Sequence, residues 1–153
     1  MQPLRILVDT REQKPLWRPG KNVTKKKLDV GDYTTETLLG HFHIERKSAG
    51  DLYGSIIQGH ERFRKELLRA VNSNIKLSVA VECTEKDFYG KKWSGGYRCR
   101  VKGNVLAKIV ATISSRYKVG FVWCDGRVAM RKKVKELLVE EENKQRFINR
   151  ENI

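Results

Sequence analysis

His41-Phe42-His43-Ile44-Glu45-Arg46-Lys47-Ser48-Ala49-Gly50-Asp51-Leu52 reads as a strand that passes directly into a helix. The alternation over 41–47 suits a strand with one buried face. Ser48 is placed to cap an exposed amide of the next turn, and Asp51 sits favourably beside the helix N-terminus. Leu52, Ile56 and Ile57 would then face the core. Alternate side chains leave a strand on the same side, so Glu45 and Lys47 share a face while Arg46 points the other way.

Upstream, Leu4-Arg5-Ile6-Leu7-Val8 is short, aliphatic and β-branched, a buried strand with Asp9 at its C-terminal end. Pro15, Pro19 and Gly20 mark an irregular loop. Residues 23–30 alternate weakly around a lysine run, and Gly31-Asp32 predicts a turn before 33–39. Together with 41–47 these pieces are expected to form a compact meander. Downstream, a helix over 61–71 would bury Phe63, Leu67, Leu68 and Val71, and 76–81 is an aliphatic strand ending at Glu82. Residues 89–103 read as an exposed loop, 104–117 as a helix capped by Asn104, 119–124 as a strand and 127–142 as a charged amphipathic helix. The tail over 143–153 is expected to fray. Strands separated by single helices in the second half imply parallel pairing with right-handed crossovers, and the early strands imply an antiparallel portion. The expectation is one α/β domain over 1–142, a mixed central β-sheet flanked by helices.

The chain has 153 residues, 32 Lys and Arg against 18 Asp and Glu, and a net charge of +14. A field of that sign favours nucleic acid as the partner. Cys83, Cys99 and Cys124 are widely spaced with no CxxC, which favours a reducing compartment and no structural zinc. No apolar run approaches the roughly 18 residues of a bilayer span and no signal peptide is recognisable, so no membrane role is expected. The expected location is intracellular: cytoplasmic for a bacterial or phage protein, nuclear for a eukaryotic one.

In so basic a chain, three acidic islands need a reason: Val8-Asp9-Thr10-Arg11-Glu12, Gly31-Asp32-Tyr33 and the stretch from Glu45 to Asp51. If the Gly31-Asp32 turn lies beside the Glu45 strand, Asp32 and Glu45 offer hard oxygens to one Mg²⁺ or Mn²⁺. Lys47 would orient a water or offset developing negative charge, an arrangement suited to phosphodiester hydrolysis. Other features stay open. Lys25-Lys26-Lys27 suits either phosphate contact or a solvated strand edge. Over 91–100, basic residues interleaved with Trp93 and Tyr97 on a glycine-rich loop suit either DNA contact, with an aromatic stacked on a base, or a flexible loop. His41 and His43 lack a third ligand at suitable spacing and read as structural.

The spacing of Asp9, Arg11, Glu12, Gly31-Asp32 and Glu45-Arg46-Lys47 with Asp51 resembles the XPF nuclease family, whose signature is GD, a gap, then ERKxxxD. That family belongs to the wider PD-(D/E)XK superfamily. The likeness extends through Asp51-Leu52-Tyr53-Gly54-Ser55-Ile56, Arg62-Phe63, Glu66-Leu67 and Val79-Ala80-Val81-Glu82, and then from Val105 to Leu138. It implies a restriction-endonuclease-like nuclease fold and a metal-dependent DNA endonuclease. By the resemblance Asp32 and Glu45 bind metal with Asp9 as a further acidic member, Lys47 is the catalytic lysine, and Arg46 and Asp51 support the constellation, Asp51 by holding the helix start or Arg46. Arg11, Arg62, Lys92, Trp93, Arg98 and Arg100 are the expected DNA contacts, although Glu61 stands where relatives often have glycine before the arginine. The resemblance implies products with a 5′ phosphate and a 3′ hydroxyl, branched or duplex DNA as partner, and a homodimer through the nuclease domain. The tandem helix-hairpin-helix domain of many relatives is not expected here, which would suit a phage, plasmid or bacterial protein. The family also holds subunits that have lost catalysis, so a non-catalytic DNA-binding or scaffold role is the alternative, with a basic RNA-binding protein as a third reading.

Overall fold

A computed structural model describes residues 2–151. Its elements run β1 (Ile6–Val8), β2 (Val23–Lys25), β3 (Tyr33–Thr35), β4 (Phe42–Ser48), α1 (Ala49–Tyr53), α2 (His60–Asn72), β5 (Lys76–Glu82), α3 (Glu85–Tyr89), α4 (Gly103–Tyr117), β6 (Gly120–Trp123) and α5 (Arg127–Glu151). The strands form one mixed sheet in the order β2-β1-β3-β4-β5-β6. β4, β5 and β6 are parallel, as the helices between them require.

The meander is corrected at its outer edge. β3 pairs antiparallel with both β1 and β4, but β2 runs parallel to β1 on the far side. The intervening loop carries the chain back before β2 begins, and it is pinned to α5 by Arg127, which donates to the Lys14 and Pro15 carbonyls, and by Arg131, which donates to that of Leu16. β2 and β3 are also shorter than expected. After β3 the chain turns, with the amides of His41 and Phe42 both donating to the Leu38 carbonyl.

Two cores lie on opposite faces. Leu77, Val79 and Val81 of β5 meet Leu52, Phe63, Leu67, Leu106 and Val110 from α1, α2 and α4. On the other face Met130, Val134 and Leu138, spaced four apart along α5, cover Ile6, Val8, Tyr33, Ile44 and Ala80. Leu68 and Val71 are exposed, and Ala70 completes the buried stripe of α2 in their place. α4 starts one residue early, with Lys102 rather than Asn104 at its N-cap. α3, capped by Thr84 whose hydroxyl accepts from the Asp87 amide, occupies residues expected partly as loop. The helix expected to end at 142 continues to Glu151. Glu142 prolongs its buried stripe and accepts a 2.7 Å bond from the Thr35 hydroxyl.

Candidate active site

Gly31 sets the geometry. Its φ is +75°, and a Cβ there would come within 3.1 to 3.3 Å of the Ile44 carbonyl group and the His43 side chain. Only glycine tolerates both demands. The chain therefore lies tight against β4: the Asp32 amide donates to the Ile44 carbonyl at 2.8 Å, and the Arg46 amide donates to the Asp32 carboxylate at 2.8 Å. His43 braces the same turn from its buried ring, meeting the Val30 carbonyl at Nδ1 and accepting from the Gly40 amide at Nε2. It is structural, as expected.

Glu45 and Lys47 pair in register with Val79 and Val81, so they face the α1 and α2 side, whereas Arg46 pairs with Ala80 and faces away. Glu45 and Lys47 line a cleft of about 630 Å³ together with Asp32, Ser55, Phe63 and Glu66. Burial pushes the Glu45 carboxyl far above its ordinary range, and hydrogen bonds with the Glu66 and Asp32 carboxyls push it further. The Asp32 carboxyl is raised too, by burial first and by the nearby charges of Glu12 and Glu66, although hydrogen bonds from Glu45 and the Arg46 amide oppose the shift. Glu66 Oε1 is enclosed and meets no donor among the described residues. The carboxyls of Asp32, Glu45 and Glu66 thus press against one another and need a shared proton or cation between them.

Beside them the Lys47 ammonium donates to Ser55 Oγ at 3.0 Å and lies 4.9 Å from the centre of the Phe63 ring. Ser48 Oγ accepts from the Asp51 amide and starts α1 as expected. Asp51 itself is exposed at the cleft rim.

Arg46 is held not by Asp51 but by Glu12, through Nε to Oε2 at 2.8 Å and Nη2 to Oε1 at 2.9 Å. The Tyr33 hydroxyl donates to the same carboxylate. Burial alone would raise the Glu12 carboxyl, yet the Arg46 bonds and others carry it below the usual range.

The expectation for Asp9 as a metal ligand is corrected. Its carboxylate is 3% exposed and already engaged, Oδ1 by the Leu28 amide at 2.8 Å and Oδ2 by Arg11 Nε at 3.0 Å. It ties the end of β1 to the segment after β2 and does not line the cleft.

The ERCC4 domain family matches residues 8–148. The chain belongs to that family. Two solved structures share the fold of this ERCC4 domain. The XPF protein of Aeropyrum pernix in complex with DNA is 20% identical, with a TM-score of 0.69 over 92% of this chain and 66% of that one. A second Aeropyrum pernix XPF structure is 18% identical, with a TM-score of 0.70 over 95% of this chain and 69% of that one. The ERCC4 domain described here therefore spans about two thirds of each of those chains. No curated protein matches it significantly by sequence. The ERCC4 domain has the mixed six-stranded sheet of an XPF nuclease domain.

Not all expected contact residues gather at the cleft of the ERCC4 domain. Arg11 and Arg62 stand on its rim, while Lys92, Trp93, Arg98 and Arg100 lie outside it. Trp93 is corrected as a base-stacking residue. Its indole N–H donates to the Phe88 carbonyl, and its ring packs on Phe88 and Tyr53 within the core that supports α1. Tyr97 is the exposed aromatic of that loop, 79% accessible, with the Arg98 guanidinium over its ring. Nor is the loop slack: a Cβ on Gly96 would collide with the Lys91 backbone. Glu66 is a cleft residue that belongs to the family resemblance but received no site role from the sequence. Its available signal was an acid three residues after Phe63 and directly before Leu67, on the buried side of an amphipathic helix.

Proposed function

We propose that this ERCC4 domain is a divalent-metal-dependent DNA endonuclease selective for branched DNA. The reading is carried by the meeting of three mutually crowded carboxyls and one anchored ammonium in an open cleft of a chain with net charge +14. An enclosed, unpartnered carboxylate oxygen beside two others suits a hard cation. Among the described residues no three acidic, histidine or cysteine side chains already encircle a common cation position, so the carboxyls would part slightly on binding. Asp32, Glu45 and Glu66 would hold Mg²⁺ or Mn²⁺. The ion would supply Lewis-acid chemistry, making water a better nucleophile and offsetting charge on the phosphate.

Lys47 places a positive charge where negative charge grows on the phosphoryl oxygens, and Ser55 and Phe63 fix its position. Glu12 holds Arg46 on the face of β4 opposite Glu45 and Lys47. Water adds its oxygen to phosphorus as the bond to the 3′ oxygen breaks, and a water proton ends on that oxygen. The products are a 5′ phosphate and a 3′ hydroxyl. The Aeropyrum pernix XPF complex with DNA supports DNA as the substrate class, and the family likeness supports selectivity for branched forms.

Glu45→Gln tests the reading. With labelled duplex, flapped and four-way DNA and an RNA control, the native chain should cut DNA with Mg²⁺ or Mn²⁺ and stop on adding EDTA. The variant should lose cutting by about a hundredfold or more while retaining DNA binding, since even outer-shell partners of a metal cost about 10- to 100-fold when lost. Equal cutting by the variant would overturn the assignment.

A further inference from the structure

A second cavity, about 420 Å³, lies between α2 and α4, floored by Ile56, Leu67, Ile109 and Ile113. It shares Ser55 and Phe63 with the cleft, the two residues that anchor the Lys47 ammonium. A DNA strand held by Lys47 would therefore have its neighbouring nucleotide at the mouth of this groove. Among the described residues its charged lining is cationic, Arg64, Lys108 and Arg116 with His60 beside them, and includes no carboxylate. Apolar floor and basic rim match the two halves of a nucleotide, a flat base and an anionic phosphate. The volume falls in the range of about 300 to 1,000 Å³ that seats small organic groups.

We propose that this groove seats an unpaired nucleotide of the strand leaving the cleft. A base inside a duplex has both faces covered by its neighbours and nothing apolar to offer the floor. An unpaired base has a free face. The groove would thus let the protein sense a branch beside the bond it cuts, through the base and not only through backbone charge. A second copy of the chain is a poorer occupant, because it carries the same +14 and would bring like charge to the rim. The inference rests on the reading of the cleft as a site that cuts DNA.

The test measures the dissociation constant of the full chain in EDTA for three DNAs of equal length. One is fully paired, one carries an unpaired branch, and one carries the same branch with abasic sugars. The native chain should bind the branched DNA about tenfold more tightly than its abasic counterpart. Ile109→Asp should abolish that preference and leave duplex affinity within about twofold. Lys108→Glu, at an exposed position of α4, provides a variant with less risk to the fold and should weaken branched DNA more than duplex. Equal binding of base-bearing and abasic branches by the native chain would overturn the proposal. So would a shift from dimer to monomer in sedimentation for Ile109→Asp with the preference intact, since the groove would then be an interface between copies. Cutting with Mg²⁺ is read separately: a chain that prefers the base-bearing branch yet never cuts would defeat the nuclease reading alone.

Discussion

At the residue scale, burial first and then the neighbouring Glu66 and Asp32 carboxyls push the Glu45 carboxyl above its ordinary range. A folded carboxyl raised above its unfolded value stabilises the fold below the unfolded value and loses that contribution as pH rises toward the folded one. Glu45 and Asp32 are both raised. In EDTA, thermal stability should therefore fall as pH climbs above the ordinary carboxylate range near 4.5, by at most about 1.4 kcal/mol per pH unit for one such group. Glu45→Gln should flatten the dependence, and Mn²⁺ should restore stability to the native chain most strongly at high pH, because binding displaces the proton. Melting curves across pH, with and without Mn²⁺, check the sign. Glu66→Gln makes a related case. Removing one carboxyl of the crowded three should raise the melting temperature in EDTA and shrink the rise caused by Mn²⁺. A variant that melts lower in EDTA while keeping the full Mn²⁺ response would show that Glu66 is not part of the cation site. The pairing of Asp32 with Glu45 was legible because GD and ERK are local motifs, whereas Glu66 reaches them only through the packing of α2 on β5.

At the element scale, α5 shows why a helix is hard to end from sequence. The apolar stripe of Met130, Val134 and Leu138 stops at Leu138, so the next buried position holds an acid and looks like solvent-facing helix. Burial of Glu142 is offset by the Thr35 hydroxyl from β3, a partner 107 residues away, and Lys76 of β5 holds neighbouring Glu141 at 2.8 Å. Such contacts leave no periodic trace. Thr35→Val should strip Glu142 Oε1 of its hydroxyl donor, leaving that carboxylate only Arg146 at 3.6 Å, and cost about 1 to 3 kcal/mol in denaturant unfolding. Thr35→Val with Glu142→Leu should recover much of that, since removing both partners spares the desolvation penalty. A double variant no more stable than the single would refute the pairing as the anchor. The parallel edge strand β2 was hidden for a similar reason. Its direction depends on a loop pinned by Arg127 and Arg131, not on the alternation of 23–30 itself.

At the scale of the whole molecule, the fold class was legible because helices and strands alternate after β4, and parallel pairing follows from that order alone. The positive field was legible from composition. Its distribution was not: Trp93, read as a surface aromatic, serves the core, while the basic groove between α2 and α4 draws Arg64, Lys108 and Arg116 from separate helices. What unites these features is a net charge of +14 surrounding a small acidic cleft in which burial and the neighbouring carboxyls push Glu45 toward its protonated form. Binding of duplex DNA in EDTA should therefore be driven by release of ions from the DNA, and raising salt from about 50 to 200 mM should weaken it by about a thousandfold or more if at least six phosphates are neutralised. Glu45→Gln replaces a carboxyl whose ionisation burial and its neighbours oppose, so both affinity and salt slope should match the native chain within about twofold, an interval that corresponds to less than half a kcal/mol. Anisotropy titrations at four salt concentrations measure both. A slope that steepens in the variant would mean that Glu45 carries its charge in the free protein, and a flat slope in the native chain would mean that the basic surface is not what holds the DNA.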